Sequence, residues 1–255
     1  MTDTADDKRA TADSFGVAAD AYLDSDVHRQ GDDLDRLASW CADASVALDV
    51  ATGAGHTAGA VAAAGASRTV ATDASPEMVA TAVSEFDGVE GVVADAERLP
   101  FSADAFDAAA CRIAAHHFPD PQAFVEEVAR VLEPGGTFAL EDNVAPEDDE
   151  LGEFINRVEA LRDPTHVESY ATSQWHEWLS AAGFEIEETL HLKKTLTFDP
   201  WTAAQSLTAD EKTRVEDVLL DASDEATEFY EIEVEDGEVV SFANLKALVR
   251  ATKTT

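Results

Sequence analysis

The chain has 255 residues, 45% of them apolar, and its 17 Lys and Arg against 53 Asp and Glu leave a net charge of −36 with neutral His. A surface this acidic repels polyanions, which excludes nucleic-acid binding by bulk attraction. The length allows one large α/β domain with a full core. Only six of the cations are Lys, and the acids run through the whole chain; with the apolar periodicity described below, this points to a folded protein carrying an acidic shell adapted to a high-salt cytoplasm, rather than to an acidic disordered chain.

Met1 to Asp13 is acidic, lacks an apolar centre and does not read as a signal peptide. No run approaches the ~18 apolar residues of a membrane span, so the protein is expected to be soluble and cytoplasmic, with no membrane partner. Two cysteines, Cys41 and Cys111, make neither a disulfide framework nor a thiolate zinc site. Both fall in apolar patterns and are expected to be buried structural thiols.

In chain order, residues 1–44 read as an acidic helical leader. Leu34, Leu37, Trp40 and Cys41 give it an apolar stripe at i, i+3, i+6 and i+7. Residues 45–142 alternate strand and helix patterns, the mark of a parallel sheet with helices on both faces. Strands are predicted at 46–50, 69–72, 91–94, 106–111 and 137–141. A helix over 75–86 opens with Ser75 as N-cap and Pro76 at its first position. Another over 121–132 should end at Pro134-Gly135-Gly136, a break before the next strand.

Residues 143–230 read as a cap and insertions, helical at 147–161, 173–182 and 210–230 and strand-like at 184–197, and residues 231–255 read as closing strands. There are no internal repeats and no low-complexity linker, so the whole is expected to be a single domain. The fold class is α/β, a Rossmann-like, mostly parallel sheet with helices on both faces and a helical cap.

The strongest local signal is Asp49-Val50-Ala51-Thr52-Gly53-Ala54-Gly55, which follows a predicted strand and opens a helix. Glycines at 53 and 55 let a backbone approach a ligand that a Cβ would block. Twenty residues after Gly53 comes Asp73, at a strand end, where a carboxylate accepts both hydroxyls of a ribose. Gly53 to Ala58 also fits G-x-G-x-x-A, the dinucleotide fingerprint, for which Asp73 would suit NAD. Asp49 weighs against that reading, since a carboxylate there repels a pyrophosphate and attracts an ammonium or a sulfonium; it could also cap a backbone turn. Further on, Asp95-x-x-x-Leu99-Pro100-Phe101 ends the third strand. Asp95 could accept an adenine amine while the Ala96 N–H meets the ring, or the segment is simply a cap.

Taken with Ser75-x-x-Met78, Phe106-Asp107 and Arg130-Val131-Leu132-x-Pro134-Gly135-Gly136, these motifs resemble class I S-adenosylmethionine-dependent methyltransferases. They are most similar to the group that includes the ubiquinone and menaquinone C-methyltransferases. Cys111-Arg112-x-x-Ala115-His116-His117-Phe118, Leu161-Arg162-Asp163-Pro164-x-His166 and Ala222-Ser223-Asp224-Glu225-Ala226 are similar to a subgroup of small methyltransferases without an assigned substrate.

The resemblance implies a seven-stranded sheet whose last strand is antiparallel and inserted beside the fifth, and S-adenosylmethionine as cofactor. It implies that Asp49, Ala51 and Gly53, with Gly55 in the same loop, line the methionine and ribose, and that Asp73 holds the ribose diol. Ala74 and Met78 would flank the adenine, with Asp95 and Ala96 at its edge. The backbone at Arg112 would meet the methionine amino group, and Tyr22 would close over the cofactor.

His116 and His117 lie just past the fourth strand, where open α/β sheets present ligands, and an imidazole there could take a proton from an acceptor. His117 is the preferred base, because Phe118 and Pro119 should start the next element and pin its direction; the alternative is that one His packs and the other bonds a carbonyl. No metal site is expected from His56, His116 and His117. The expected activity is methyl transfer to a small molecule. A non-catalytic S-adenosylmethionine-binding protein and an NAD-dependent oxidoreductase are the alternatives. Homodimers are compatible with the sequence.

Overall fold

The computed structural model describes residues 31–254. Helix α1 (Asp32–Trp40) precedes β1 (Ala47–Val50), α2 (His56–Ala64), β2 (Thr69–Asp73), α3 (Pro76–Glu85) and β3 (Val89–Val93). Then come β4 (Phe106–Arg112), a 3-10 turn at Ala115–His117, α4 (Pro121–Val131) and β5 (Leu132–Asn143). The remainder comprises α5 (Asp149–Arg162), α6 (Thr172–Ala181), β6 (Phe184–Thr197), α7 (Phe198–Ala203), α8 (Ala209–Leu220), α9 (Asp224–Phe229), β7 (Glu233–Glu235) and β8 (Glu238–Lys253).

The strands lie in the order β3-β2-β1-β4-β5-β8-β6, with short β7 paired antiparallel to β8. β1 to β5 pair in parallel, and the last long strand is inserted beside the fifth. This is the α/β class expected from the alternating patterns.

Two compact units are formed. One comprises 31–142, 176–190 and 248–254, and the other 143–175 and 191–247; β6 and β8 contribute residues to both. In the first unit, Ala108 and Ala110 of β4 and Ala139 of β5 pack with Leu37, Ala38 and Cys41 of the α1 segment and Val61 of α2. Alanines keep the sheet surface flat enough for helices to sit close. The leader stripe is confirmed, with Leu34, Leu37 and Cys41 buried. In the second unit, Ile155 and Val158 of α5, Trp201 of α7, Val215 and Leu219 of α8, and Phe242 of β8 share a core.

Two boundaries differ from expectation. Pro134-Gly135-Gly136 does not separate helix from strand but lies inside β5. Leu132 pairs with Phe106 and Thr137 with Ala108, so the intervening residues bulge out of the ladder; a bulge accommodates Pro without losing the flanking pairs. The helix expected over 210–230 is two, α8 and α9, because Ser223 caps the second by accepting from Ala226 N and a cap imposes non-helical backbone.

Candidate functional site

The loop after β1 is built around a buried acid. Asp49 is 1% exposed; its Oδ2 accepts from the Thr52 hydroxyl at 2.5 Å, and its Oδ1 has no hydrogen-bond partner. Burial pushes its carboxyl up to about 7; the Thr52 hydroxyl and Ala58 N–H partly offset this, and Arg112 more weakly. Ala51 has φ 54, a left-handed conformation that an alanine adopts only under strain. Ile113, after the neighbouring strand β4, has φ 53. Strained backbone at two adjacent strand ends is held by its surroundings, and such strain gathers at functional sites.

The glycines of this loop have different jobs. Gly53 has φ +55 and open space where a Cβ would stand, whereas a Cβ on Gly55 would come within 2.6 Å of Ala82. Gly55 is therefore required by the close approach of α3, whereas the space beside Gly53 is open. Asp73 ends β2 and ties the loop down. Its Oδ2 accepts from Gly53 N at 3.0 Å and its Oδ1 from Ser75 N at 2.9 Å. Burial raises its carboxyl, and the Ser75, Gly53 and Ala74 amides oppose this. Ala74 is exposed and Met78 buried on the first turn of α3, which Ser75 caps.

Asp95 is half-buried and accepts from Glu97 N at 3.0 Å, so the capping role does operate; Ala96 is half-buried beside it. The Leu99-Pro100-Phe101 turn is held from α4, where Arg130 donates to Leu99 O and Phe101 O at 2.9 and 2.7 Å, and Glu127 accepts from Leu99 N at 2.7 Å. Asp107 likewise serves the fold, accepting from Ser45 N and Val46 N at the start of β1.

At the carboxyl ends of β4 and β5 the sequence reading missed the partners. Arg112, with 3% of its side chain exposed, pairs with Glu141 at 2.7 Å and with Asp33 of α1 at 2.9 Å. The first pair follows from register, because Arg112 lies opposite Glu141. Next along β5, Asp142 takes His116: its Oδ2 accepts from His116 N at 2.9 Å and its Oδ1 meets Nδ1 at 2.5 Å. The His117 ring lies 4.2 Å from the His116 ring, centroid to centroid. Adjacent acids on a strand point to opposite faces, so the Glu141-Asp142 dipeptide serves one cation and one imidazole. Its signal in the sequence was two consecutive acids ending an otherwise apolar strand.

Cys41 and Cys111 are buried, and burial pushes the Cys41 thiol up to about 12 and raises that of Cys111. Neither is a thiolate nucleophile. Tyr22 lies outside the described residues. Among the described residues, no helix is long and apolar enough to cross a membrane.

A strand-end acid below a glycine loop and a second acid one strand over thus stand at the carboxyl ends of adjacent parallel strands, where open α/β sheets present ligands. Comparison with known proteins places the chain: the methyltransferase domain family matches residues 48–140. The uncharacterized methyltransferase YcgJ of Bacillus subtilis (strain 168) is 36% identical over 247 residues, 94% of this chain and 97% of that protein.

The chain belongs to the class I S-adenosylmethionine-dependent methyltransferases. The crystal structure of a protein from Bacillus halodurans C-125 assigned as a methyltransferase superposes with a TM-score of 0.84 at 38% identity, covering 88% of this chain and all of that one. Demethylmenaquinone methyltransferase of Clavibacter sepedonicus is 39% identical over 116 residues, 43% of this chain and 47% of its own.

Proposed function

We propose that this methyltransferase uses S-adenosylmethionine to methylate a small-molecule acceptor at the carboxyl ends of β1, β4 and β5. The observation that carries the reading is Asp49, a buried acid near the carboxyl end of β1 with an orphaned oxygen. Burying it without a partner is costly, and a cationic ligand group supplies what the fold withholds. Bound there, S-adenosylmethionine would supply an electrophilic methyl group on a positively charged sulfur.

The chain's own residues divide the remaining work. Asp49, Ala51 and Gly53 would hold the methionine and ribose, with Gly55 keeping the loop against α3. Asp73 would take the ribose hydroxyls, Ala74 and Met78 would border the adenine, and Asp95 with the Ala96 N–H would meet its edge. The Arg112 backbone would face the methionine amine while its side chain is engaged by Asp33 and Glu141. The imidazoles of His116 and His117 are the groups on hand to accept a proton. Alignment of this kind removes several kcal/mol from a transfer barrier.

The acidic surface favours a small acceptor over nucleic acid, and it suits a cytoplasm of high salt. Calorimetric titration at molar salt with S-adenosylmethionine, S-adenosylhomocysteine and NAD tests the proposal. Micromolar binding of the first two with none of NAD is expected. Binding of NAD instead, or of nothing by a folded sample, would overturn it.

A further inference from the structure

Two histidines stand side by side after β4, and the structure treats them differently. His116 is buried and gripped twice by one carboxylate, through its backbone N–H at 2.9 Å and its Nδ1 at 2.5 Å. His117 is half-buried and its ring lies against that of His116 at a tilt of 44°. Asp142 is 1% exposed, at the end of β5. Because one oxygen binds the backbone of the residue whose ring the other oxygen meets, the carboxylate fixes that ring's rotation as well as its position.

We propose that Asp142 is the positioning residue that makes His116 the proton acceptor of the reaction, and that the acceptor is a hydroxyl compound or a carbon acid. The inference rests on the methyltransferase reading and deepens it.

The chemistry follows from the inventory of donors. A carboxylate only accepts, so the contact at 2.5 Å requires the proton on Nδ1 and leaves the lone pair on Nε2. Imidazole geometry directs Nε2 away from Asp142. In that tautomer Nε2 takes a proton, and the imidazolium that results is stabilised by the carboxylate behind it. An amine needs none of this, since it attacks through an existing lone pair and sheds its proton to solvent afterwards. A hydroxyl or a carbon acid must lose its proton as it attacks.

In the balanced step, the X–H proton passes to Nε2, the X–H electron pair forms the X–CH₃ bond, and the sulfur keeps the pair of the bond that breaks. Beside His116 stand Asp142 from β5 and His117 on the same turn; burial, and after it Asp142, raise the Cys111 thiol of β4 and keep it protonated.

The deciding measurement needs no acceptor. In ¹⁵N-histidine-labelled protein at molar salt, two-bond proton–nitrogen spectra read the tautomer of each ring and the pH at which it titrates, with His116→Gln assigning the signals. Wild type should carry the neutral His116 proton on Nδ1. In Asp142→Asn, His116 should titrate about one unit lower or more, because the charge that favours imidazolium is gone; Asp142→Glu, which keeps a carboxylate, should restore most of that shift.

A His116 proton on Nε2 in wild type, or equal titration in wild type and Asp142→Asn, would overturn the inference. Should Asp142→Asn fail to fold, the wild-type tautomer alone decides.

A second arm tests the acceptor class. Labelled methyl transfer is followed across phenols, 1,3-dicarbonyls and primary amines. Transfer to a phenol or dicarbonyl that falls about 10²-fold or more in His116→Gln supports the proposal. Transfer confined to amines and indifferent to that substitution overturns it. Calorimetry with S-adenosylmethionine on the same wild-type sample separates the two readings. Failure to bind removes the cofactor proposal, whereas binding with the wrong tautomer removes only this one.

Discussion

At the carboxyl ends of β1, β4 and β5, the carboxylates Asp33, Asp49, Glu141 and Asp142 are buried around one guanidinium and one paired imidazole. The second unit also buries acids, but there Glu159 and Asp163 meet their donors within the unit. Glu159 accepts from Asn244 Nδ2 at 2.6 Å and lies 3.5 Å from Arg162, which stacks on Trp201 at 4.6 Å. Asp163 accepts from the Thr165 N–H and hydroxyl and from Gln205 Nε2.

Among the described residues the first unit leaves the carboxylate oxygen Asp49 Oδ1 without a hydrogen bond, along with Thr69 Oγ1 and Arg250 Nε, whereas in the second the oxygen left over is that of an amide, Asn244 Oδ1. A matched buried acid is explained by its neighbours, whereas an unmatched one raises the question of what else it serves. Under the proposed function the first cluster serves a ligand, whereas the second is accounted for by its own donors.

The largest expected effect removes both clusters at once. With 36 excess negative charges, lowering the salt from molar to millimolar lengthens the Debye length from about 3 Å to tens of ångströms, and self-repulsion should unfold the chain. Far-UV circular dichroism would register the loss; a spectrum unchanged down to millimolar salt would show that the acidic shell is not an adaptation to salt.

Asp49→Asn separates the clusters. It should lower S-adenosylmethionine affinity by about 10²-fold, as expected when one partner of a desolvated charge pair is removed, while leaving the fold no less stable, because a buried uncompensated charge is removed. The pH dependence has a definite sign. The folded carboxyl is raised from 3.8 to about 7, so between those values the folded state binds more protons and loses stability as pH rises. Denaturant melts of wild type should therefore fall behind Asp49→Asn from about pH 4 to pH 7 and run parallel above it. Parallel melts throughout would mean that the acid is not buried as described.

Glu159→Ala tests the other side. It leaves Arg162 and Asn244 without their acid and should cost about 2 kcal/mol of stability, with S-adenosylmethionine affinity within about twofold of wild type, the change expected when no ligand contact is touched. A larger loss of binding would dissolve the distinction between the clusters.

The fold was legible because β1 to β5 and their helices follow apolar periodicity and capping, signals that are local in sequence. The glycine loop, Asp49 and Asp73 were legible for the same reason. Asp142, Glu141 and Asp33 were not, because their partners lie 26, 29 and 79 residues away, and which strand end faces which is a property of sheet order. At Gly55 the missing Cβ also makes room for Ala82 of α3, and nothing near it in sequence reports a helix crossing. Pro134 fell where a break was expected, but only pairing across β4 shows that the strand continues through it.

The smallest effect is expected where charges are paired without burial. Arg68 meets Glu90 at 2.7 Å, with about half of each side chain exposed. The hydrogen bond to Glu90 raises the Arg68 pKa, and Arg68 holds the Glu90 carboxyl below its usual range. By linkage, whatever this pair contributes is present above the ordinary glutamate range and is lost as pH falls through the lowered value. Exposure and screening leave little to lose, since at molar salt the Debye length is about 3 Å. Arg68→Ala should melt with wild type at neutral pH and molar salt, within the error of a calorimetric scan. A shift as large as that of Glu159→Ala would mean that exposed pairs here escape screening, and burial would no longer be what distinguishes the acids that matter.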